Sequence, residues 1–306
     1  MASLSLSRLR RAAAGAVLLV ATASGMSHAG TNPLEDFNSE PLTNGFRSSY
    51  SNVGEATVNV DVPYGLDPAQ KYDVYLPANP SNAPVIVMVH GGAWTSGDKQ
   101  DDHVAEAKAG YFVARGFIFV SLNYRLLPQS DPLIQAADIA RGIANIQTNA
   151  GKWGGDKAKI VLMGAGAGGH LAALLSSNPS LASDQGATVW AGAVVLETAA
   201  LNVPSLMSTA HNNIYDTAFG SNLEFWEDSS PTHLVHESAV PILVVCSTQS
   251  QENTCSKANA FKQTADGLGA SVTVSPQDVD PWQVNSRVGV STSYSSAIES
   301  YIQSIL

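Results

Sequence analysis

Two glycine-rich turns, each directly after a strongly apolar run, are the segments of this chain whose residue types could do chemistry. The first follows VIVMV and reads His90-Gly91-Gly92-Ala93-Trp94. Two glycines after a buried strand let the backbone turn so that its N–H groups face a cavity, which is the geometry that stabilises an oxyanion. An ordinary glycine turn is the alternative interpretation of this segment.

The second turn, GAGAGGH, lies between the apolar run KIVLM and the apolar stretch LAALL. A strand, a glycine turn and a helix in succession would place residue 166 at the sharp point of the turn. The same letters also match the dinucleotide fingerprint G-x-G-x-x-G through Gly164, Gly166 and Gly169. We disfavour that interpretation, because no acidic residue closes the next strand at the fingerprint's distance of roughly 20 residues.

The rest of the sequence supplies the elements that must position these turns. Alternating apolar residues in ATVNVDVPY and KYDVYLP predict an antiparallel hairpin at a sheet edge. Apolar runs follow at PVIVMVH, FIFVSLNY, KIVLMG, AGAVVLE, PILVVC and ASVTVS, and most are separated by stretches with helical spacing. This alternation predicts an α/β fold with a mostly parallel central sheet and helices on both faces. Residues 202–237 break the pattern, and we expect this insertion to lie over the carboxyl ends of the strands, above the cleft.

Taken together, these motifs resemble the secreted carboxylesterases of the α/β-hydrolase fold, which include feruloyl-esterase-like (BD-FAE-like) and kynurenine-formamidase-like proteins. Those proteins carry HGGxW with GDK, then YRL, then a GHSAGGHLAAL nucleophile elbow. This chain carries HGGAWTSGDK, NYRLLP, GGDKAKI, the glycine turn and SPTHL in the same order. The resemblance implies about eight strands and a cleft at their ends. It also implies an oxyanion hole made by the N–H groups of Gly91, Gly92 and Ala167, with Trp94 at the rim.

The positions that catalyse hydrolysis in that family hold other residues here. Alignment of the elbow places Gly166 where the serine belongs, and glycine has no side chain to attack a carbonyl. The family pattern places Ser250 at the acid position and Asp280 or Pro281 at the histidine position, and no histidine occurs after His236. We therefore expect no member of the Ser-His-Asp triad and no serine-hydrolase activity.

The resemblance and these departures together predict a non-hydrolytic pseudoenzyme of carboxylesterase lineage. It would bind a small carbonyl-containing or aromatic ligand, or a protein partner, with Trp94, Asp280 and Trp282 as ligand contacts. Asp-Pro is an ordinary turn signal, but Asp280 could instead enter the emptied cleft and act as acid or base. That second interpretation allows an enzyme of another class, such as a lyase, isomerase or cyclase. A divergent hydrolase acting on ester or amide bonds is the remaining alternative.

Histidines and cysteines do not form a metal-site pattern in this sequence. Cys246 and Cys255 lie nine positions apart, and we expect a disulfide between them in an oxidising compartment. No histidine pair at ligand spacing accompanies them, so we predict neither a metal nor a cofactor. His90 and His170 belong to the two glycine-rich motifs, and we expect both to pack within the scaffold.

The first 29 residues have the pattern of a cleaved signal peptide. Arg8, Arg10 and Arg11 precede an alanine-rich apolar run that ends in small residues at Ala29. This run is shorter than the ~20 residues needed to cross a bilayer. We therefore expect a secreted or periplasmic protein without membrane insertion, and a single domain over residues 30–306. The formal net charge of −10 repels nucleic acid, so we expect no nucleic-acid partner.

Overall fold

The short apolar runs of the sequence form the strands of one sheet in the computed structural model, which describes residues 57–101 and 103–306. Within these ranges the eight strands are β1 (Thr57–Pro63), β2 (Lys71–Leu76), β3 (Ala83–Val89), β4 (Ile118–Leu122), β5 (Gly155–Ala165), β6 (Gly192–Leu196), β7 (Ile242–Ser247) and β8 (Val272–Gln277). The predicted signal peptide at residues 1–29 and the start of the predicted domain lie outside the described residues.

Strand pairing makes this a mostly parallel sheet with an antiparallel edge. The order is β1-β2-β4-β3-β5-β6-β7-β8. Strand β2 pairs antiparallel with both β1 and β4, and all the other neighbours are parallel. The predicted fold class, the number of strands and the edge hairpin are therefore confirmed. Because β3, β5, β6 and β7 are parallel, their carboxyl ends and the segments that follow them meet at one edge of the sheet.

Helices cover both faces of the sheet. In the described ranges they are α1 (Glu106–Val113), α2 (Pro132–Asn149), α3 (Ala167–Ser177), α4 (Ser180–Ser183), α5 (Val203–Met207), α6 (Asn213–Phe219), α7 (Leu223–Asp228), α8 (Pro231–Leu234), α9 (Thr254–Gly267), α10 (Pro281–Ser286) and α11 (Thr292–Ile305), with a 3-10 helix at Ala150–Trp153. Helix α2 begins where the sequence signals it. The Asp131 carboxylate accepts from the Ile134 N–H, and Pro132 occupies the first turn.

Side chains of each central strand point alternately into two apolar cores. In β3, Val85, Val87 and Val89 face one core, whereas Ile86 and Met88 face the other. Helices α2, α3 and α9 pack on the first face, and α1, α10 and α11 pack on the second. Burying each such side chain stabilises the fold by roughly 1.5–3 kcal/mol. The sheet is therefore a rigid platform for its carboxyl edge.

Three asparagines shape the insertion between β6 and β7. Asn202, Asn212 and Asn222 each accept backbone N–H groups at the start of a short helix, and these helices are α5, α6 and α7. Helix α6 carries aromatic rings that pack on Trp94, which follows the carboxyl end of β3. The insertion thus lies against the edge of the sheet where the two glycine turns are found.

The predicted disulfide is confirmed. Cys246 in β7 is bonded to Cys255 in the first turn of α9, and their Cα atoms are 5.1 Å apart. The bond closes the loop of residues 247–254, which follows the carboxyl end of β7 and includes Ser250. No helix of the described ranges is both long enough and apolar enough to span a bilayer.

Helix α10 is held against the start of α1 by a buried lysine. Lys108 is only 1% exposed. Its ammonium donates to the carbonyl oxygens of His103 and Asn285. No carboxylate pairs with this ammonium among the ion pairs of the described ranges. Burial lowers the pKa of Lys108 to about 7.

This burial predicts a pH-dependent stability that substitution of Lys108 should remove. An unfolded lysine titrates near pH ~10.4, so between about pH 7 and 10 the unfolded chain binds more protons than the folded one. The free energy of unfolding should therefore rise with pH across this window in the parent relative to Lys108→Met, measured by urea unfolding at both ends of the window. Parallel pH profiles for the two proteins would contradict this reading of the lysine.

Candidate functional site

Gly166 occupies the sharp turn between β5 and α3. Its φ is 55° and its ψ is −116°. Its N–H donates to the Leu196 carbonyl at 3.0 Å, and its own carbonyl accepts from the N–H of His170 at 3.0 Å. Glycine adopts this positive φ without the penalty that a Cβ brings. A Cβ built at this position would meet no other heavy atom within 4 Å, so the turn faces open space.

The first turn of α3 packs directly against the segment that follows β3. A Cβ on Gly168 would lie 2.3 Å from the His90 carbonyl oxygen, so only glycine permits this approach. The glycines of the turn are therefore explained by close backbone packing. The two glycine-rich motifs, which lie far apart in sequence, form one continuous site.

Three successive residues after β3 have positive φ. The angles are 104° at Gly92, 52° at Ala93 and 62° at Trp94. Among the hydrogen bonds of the described ranges, none is donated by the backbone N–H of Gly91, Gly92 or Ala167. Gly91 and Gly92 are partly exposed. Ala167, in contrast, is only 4% exposed.

Trp94 lies in the core beneath the loop, so its expected position at the rim is wrong. It is only 3% exposed. Its ring packs edge-on against His170, Tyr215 and Phe219, with centroids 5.0 to 5.9 Å away. The indole N–H donates to Nδ1 of His170 at 3.3 Å. The large apolar ring is more stable when buried against the insertion, with its one polar atom satisfied, than at an open rim.

Both motif histidines are structural. His170 is fully buried, and its Nε2 bonds the Ser229 carbonyl at 2.7 Å, so both of its ring nitrogens are engaged. Burial lowers the pKa of His170 to about 4. His90 stacks on Tyr124, with ring centroids 4.5 Å apart, and burial lowers its pKa as well. Neither ring is placed to accept a proton from an outside molecule.

A buried ion pair anchors the chain just beyond the loop. The Lys99 ammonium lies 2.8 Å from the Asp73 carboxylate in β2, and Lys99 and Asp73 are both almost fully buried. The Lys99 carbonyl accepts from the Ser121 hydroxyl at 2.7 Å, which ties the segment to β4. The GDK motif, Gly97-Asp98-Lys99, thus holds the glycine loop on the sheet.

Asp280 is a helix cap at the surface. Its carboxylate accepts from the Trp282 N–H at 2.9 Å, and its own N–H donates to the Gln283 side chain at 3.3 Å, which forms a capping box at the start of α10. Asp280 is exposed. The hypothesis that its carboxylate enters the cleft and loses its hydration is therefore wrong, because capping α10 holds it at the surface. Trp282 is 41% exposed and contacts the ring of His103, with centroids 4.6 Å apart.

The structure reveals a carboxylate that the sequence analysis missed. Glu197 follows β6, and its carboxylate accepts from the Ser247 N–H at 2.6 Å and from the Thr254 hydroxyl at 2.9 Å. Ser250, at the family's acid position, lies in the same loop, between these two donors in sequence. Burial raises the pKa of Glu197, while these hydrogen bonds act against the increase. The sequence feature that could have identified Glu197 is its position as the single acidic residue at the end of the apolar run AGAVVLE.

Two further features bound what the site can hold. Within the described ranges, no group of three or more His, Cys, Asp or Glu side chains is placed to hold a metal ion. A groove of about 260 Å³ lies between β8 and α11, and Thr273, Gln277 and Tyr301 are among its lining residues. The groove is not lined by any of the site residues described above, so it is distinct from the strand-end site.

The fold and the elbow together define an α/β-hydrolase-fold protein of carboxylesterase type. Residues 72–264 match the family model BD-FAE, which covers more than half of the chain, and the chain belongs to that family.

Relatives and solved structures agree with this assignment. Esterase LipQ of Mycobacterium tuberculosis is 30% identical over 228 residues, which span 69% of this chain and 53% of the relative. Esterase LipC of the same organism is 38% identical over 122 residues, which are 37% of this chain and 28% of LipC. Esterase B from Lactobacillus rhamnosis superposes with a TM-score of 0.68 at 18% identity, covering 82% of this chain and 85% of that structure. The chain thus spans about half or less of these two M. tuberculosis relatives.

The buried ion pair under the loop predicts unequal effects for two neighbouring lysines. Lys99→Met leaves Asp73 buried without a cation and should lower the free energy of unfolding by about 3–5 kcal/mol. Lys71→Met removes only a surface partner of Asp61 and should cost about 1 kcal/mol or less. Urea unfolding compares the two variants. Equal losses would show that the Lys99–Asp73 pair does not anchor the loop.

Proposed function

We propose that this protein is an exported, non-hydrolytic member of its family that binds a small carbonyl-containing or carboxylate ligand at the carboxyl edge of the sheet. The observation that carries the proposal is Gly166, a residue without a side chain at the elbow. The signal-peptide pattern of residues 1–29 supports export. The relatives are named as esterases, and these names suggest that the ligand resembles an ester, but they do not identify it further.

Hydrolysis by an acyl-enzyme needs a nucleophile and a base that act as a unit. Position 166 offers no nucleophile. The motif histidines His90 and His170 are buried, both ring nitrogens of His170 are hydrogen-bonded, and no histidine follows His236 in the sequence. Adding a serine alone would leave its hydroxyl without a histidine base, and most of the triad's rate enhancement would then be lost.

Binding needs only the donors. The N–H groups of Gly91, Gly92 and Ala167 carry no partner within the described ranges, and Ala167 begins a helix of 11 residues whose N-terminus favours negative charge. A hydrogen bond to a charged oxygen contributes roughly 1.5–3 kcal/mol. Trp282, partly exposed at the start of α10, offers an aromatic surface for the ligand's apolar part.

One observation favours a second candidate function, an enzyme of another class such as a lyase or isomerase. Glu197 is a partly buried carboxylate at the same edge of the sheet. A carboxylate whose pKa is raised by burial is suited to acid–base chemistry on a ligand whose carbonyl is polarised by N–H donors. Product formation from a carbonyl compound without ester cleavage would favour this candidate over simple binding.

The first test concerns the nucleophile. The mature protein should show no labelling by a fluorophosphonate probe and no turnover of p-nitrophenyl esters. Gly166→Ser should fold, since a Cβ there meets no other heavy atom within 4 Å, although the φ of 55° costs it of order 1–3 kcal/mol. Turnover should stay at least ~10⁴-fold below that of an intact triad enzyme, because no histidine is placed to take the proton. Stoichiometric labelling of a serine in the parent, or family-like turnover by Gly166→Ser, would instead establish a divergent hydrolase.

The second test concerns the donors. A substitution at Gly92 is unsuitable, because a Cβ there would lie 2.1 Å from the Ser96 carbonyl oxygen and would distort the loop. Ala167→Pro removes one N–H at the first position of α3, where helices accept proline. It should weaken binding of 3-phenylpropionate, measured by calorimetry, about tenfold or more.

Thr292→Pro is the matched control, because Thr292 is the first residue of α11, outside the site. This variant should bind as the parent does, and both proline variants should keep the parent's circular dichroism. Absence of binding to the parent, or equal binding by Ala167→Pro, would mean that the N–H groups do not form a ligand site.

A further inference from the structure

Glu197 lies beside the empty nucleophile position. The parallel register pairs Ala165 of β5 with Leu196 of β6, so Gly166 and Glu197 are the next residues on adjacent strands. The Gly166 N–H donates to the Leu196 carbonyl at 3.0 Å, and this bond holds Gly166 next to the end of β6. Neighbouring strands are about 4.8 Å apart, so the backbone of Glu197 lies one strand spacing from the elbow, while its carboxylate bonds Ser247 and Thr254 on the β7 side.

The backbone of Glu197 is held in an unfavourable conformation. Its φ is 45°, in the left-handed region that residues with a Cβ seldom adopt. Its N–H donates to the Val245 carbonyl at 2.9 Å, which extends the pairing of β6 with β7 by one residue. Strain of this kind, of order 1–3 kcal/mol, persists only where the surroundings determine it, and it concentrates at functional sites.

The negative charge of the Glu197 carboxylate is only partly offset by its hydrogen bonds and has no counterion. A carboxylate offers about four acceptor positions. The Ser247 N–H and the Thr254 hydroxyl fill two of them. No lysine, arginine or histidine of the described ranges forms an ion pair with it. The nearby Glu252 carries charge of the same sign. A partly exposed anion without a counterion is thus left on the strand next to Gly166, which favours a cationic partner.

We propose that Glu197 binds the ammonium group of the ligand, so that the site takes a small α-amino acid or an aminoacyl compound rather than a simple ester. The inference rests on the proposed function, in which the ligand's carbonyl or carboxylate oxygen lies on the N–H groups of Gly92 and Ala167. An α-ammonium group is one carbon away from that carbonyl. This short distance suits the Ala167 N–H, which follows β5, and the Glu197 carboxylate, which follows the adjacent strand β6.

A purely structural role for the Glu197 carboxylate makes different predictions. Its hydrogen bonds hold the disulfide-closed loop of residues 247–254, in which Glu252 accepts from the Tyr215 hydroxyl of α6 at 2.8 and 3.0 Å. If Glu197 only tethered this loop, any weakening of the tether would change binding of every ligand alike. Thr254→Val weakens the same tether but keeps the charge, so it separates the two roles.

The experiment compares L-phenylalanine with 3-phenylpropionate, which differ only in the α-ammonium group, by calorimetry at about pH 7.5, where that amine is charged. The parent should bind L-phenylalanine at least tenfold more tightly. Glu197→Gln should abolish this difference without weakening 3-phenylpropionate, because only the charge that holds the ammonium is lost. Thr254→Val should keep the difference. Glu237→Gln, which removes an exposed carboxylate before the amino end of β7, should keep it too.

Each outcome separates this inference from the proposed function. If the parent binds both compounds equally through Ala167, or if the difference survives in Glu197→Gln, the ammonium site is refuted while the carbonyl site stands. If Thr254→Val loses the difference as Glu197→Gln does, the carboxylate acts only through the loop, and the ammonium site is again refuted. If the parent binds neither compound, both proposals fail.

Discussion

The parallel pairing of β5 with its neighbours is the constraint on which this site depends. Val89 of β3 pairs with Gly164, and Leu196 of β6 pairs with Ala165. These pairings bring segments that are tens of residues apart to one edge of the sheet. A buried backbone group left without a hydrogen bond costs roughly 1–3 kcal/mol, so the register is strongly determined. The Gly166 turn is built by main-chain bonds, and its shape does not require the side chain at position 166.

Buried contacts under the two glycine-rich turns hold their backbone in place. Trp94 and His170 form a buried pair under the turn, and helix α6 of the insertion covers the indole with two further rings. The Lys99–Asp73 ion pair fixes the next stretch of the chain to β2. None of these contacts involves a hydrolytic nucleophile. Packing and hydrogen bonding therefore hold the backbone of the two glycine-rich turns in place, and such interactions preorganise backbone N–H groups.

The Glu197 carboxylate links the end of β6 to the loop that follows β7. The disulfide closes the loop after β7, and the Glu197 carboxylate from β6 accepts hydrogen bonds from that loop. In this arrangement Ser250 lies in the loop that donates to the carboxylate and supplies no carboxylate itself. The partly buried carboxylate at this edge belongs to Glu197, which no single motif of the chain contains.

Sequence patterns alone predicted the strands, the helices and the glycine at the elbow. The apolar runs predicted the strands, their alternation with helical stretches predicted the parallel sheet, and the turn GAGAGGH showed glycine at position 166. The spacing of Cys246 and Cys255 correctly predicted a disulfide. These features are local, because burial on one face or on both leaves a periodic trace in the sequence itself.

Only the tertiary structure decided which side chains face the cleft. Asp280 was a plausible cleft residue until its exposure and capping bonds placed it at the surface, and Trp94 proved to be core. Glu197 became visible as a site residue only through its position next to Gly166 across two paired strands. Periodicity reports how apolar a segment's surroundings are, but not which distant segment supplies them. That information lies in the sheet register and the packing of the insertion, which arise only when the whole core forms.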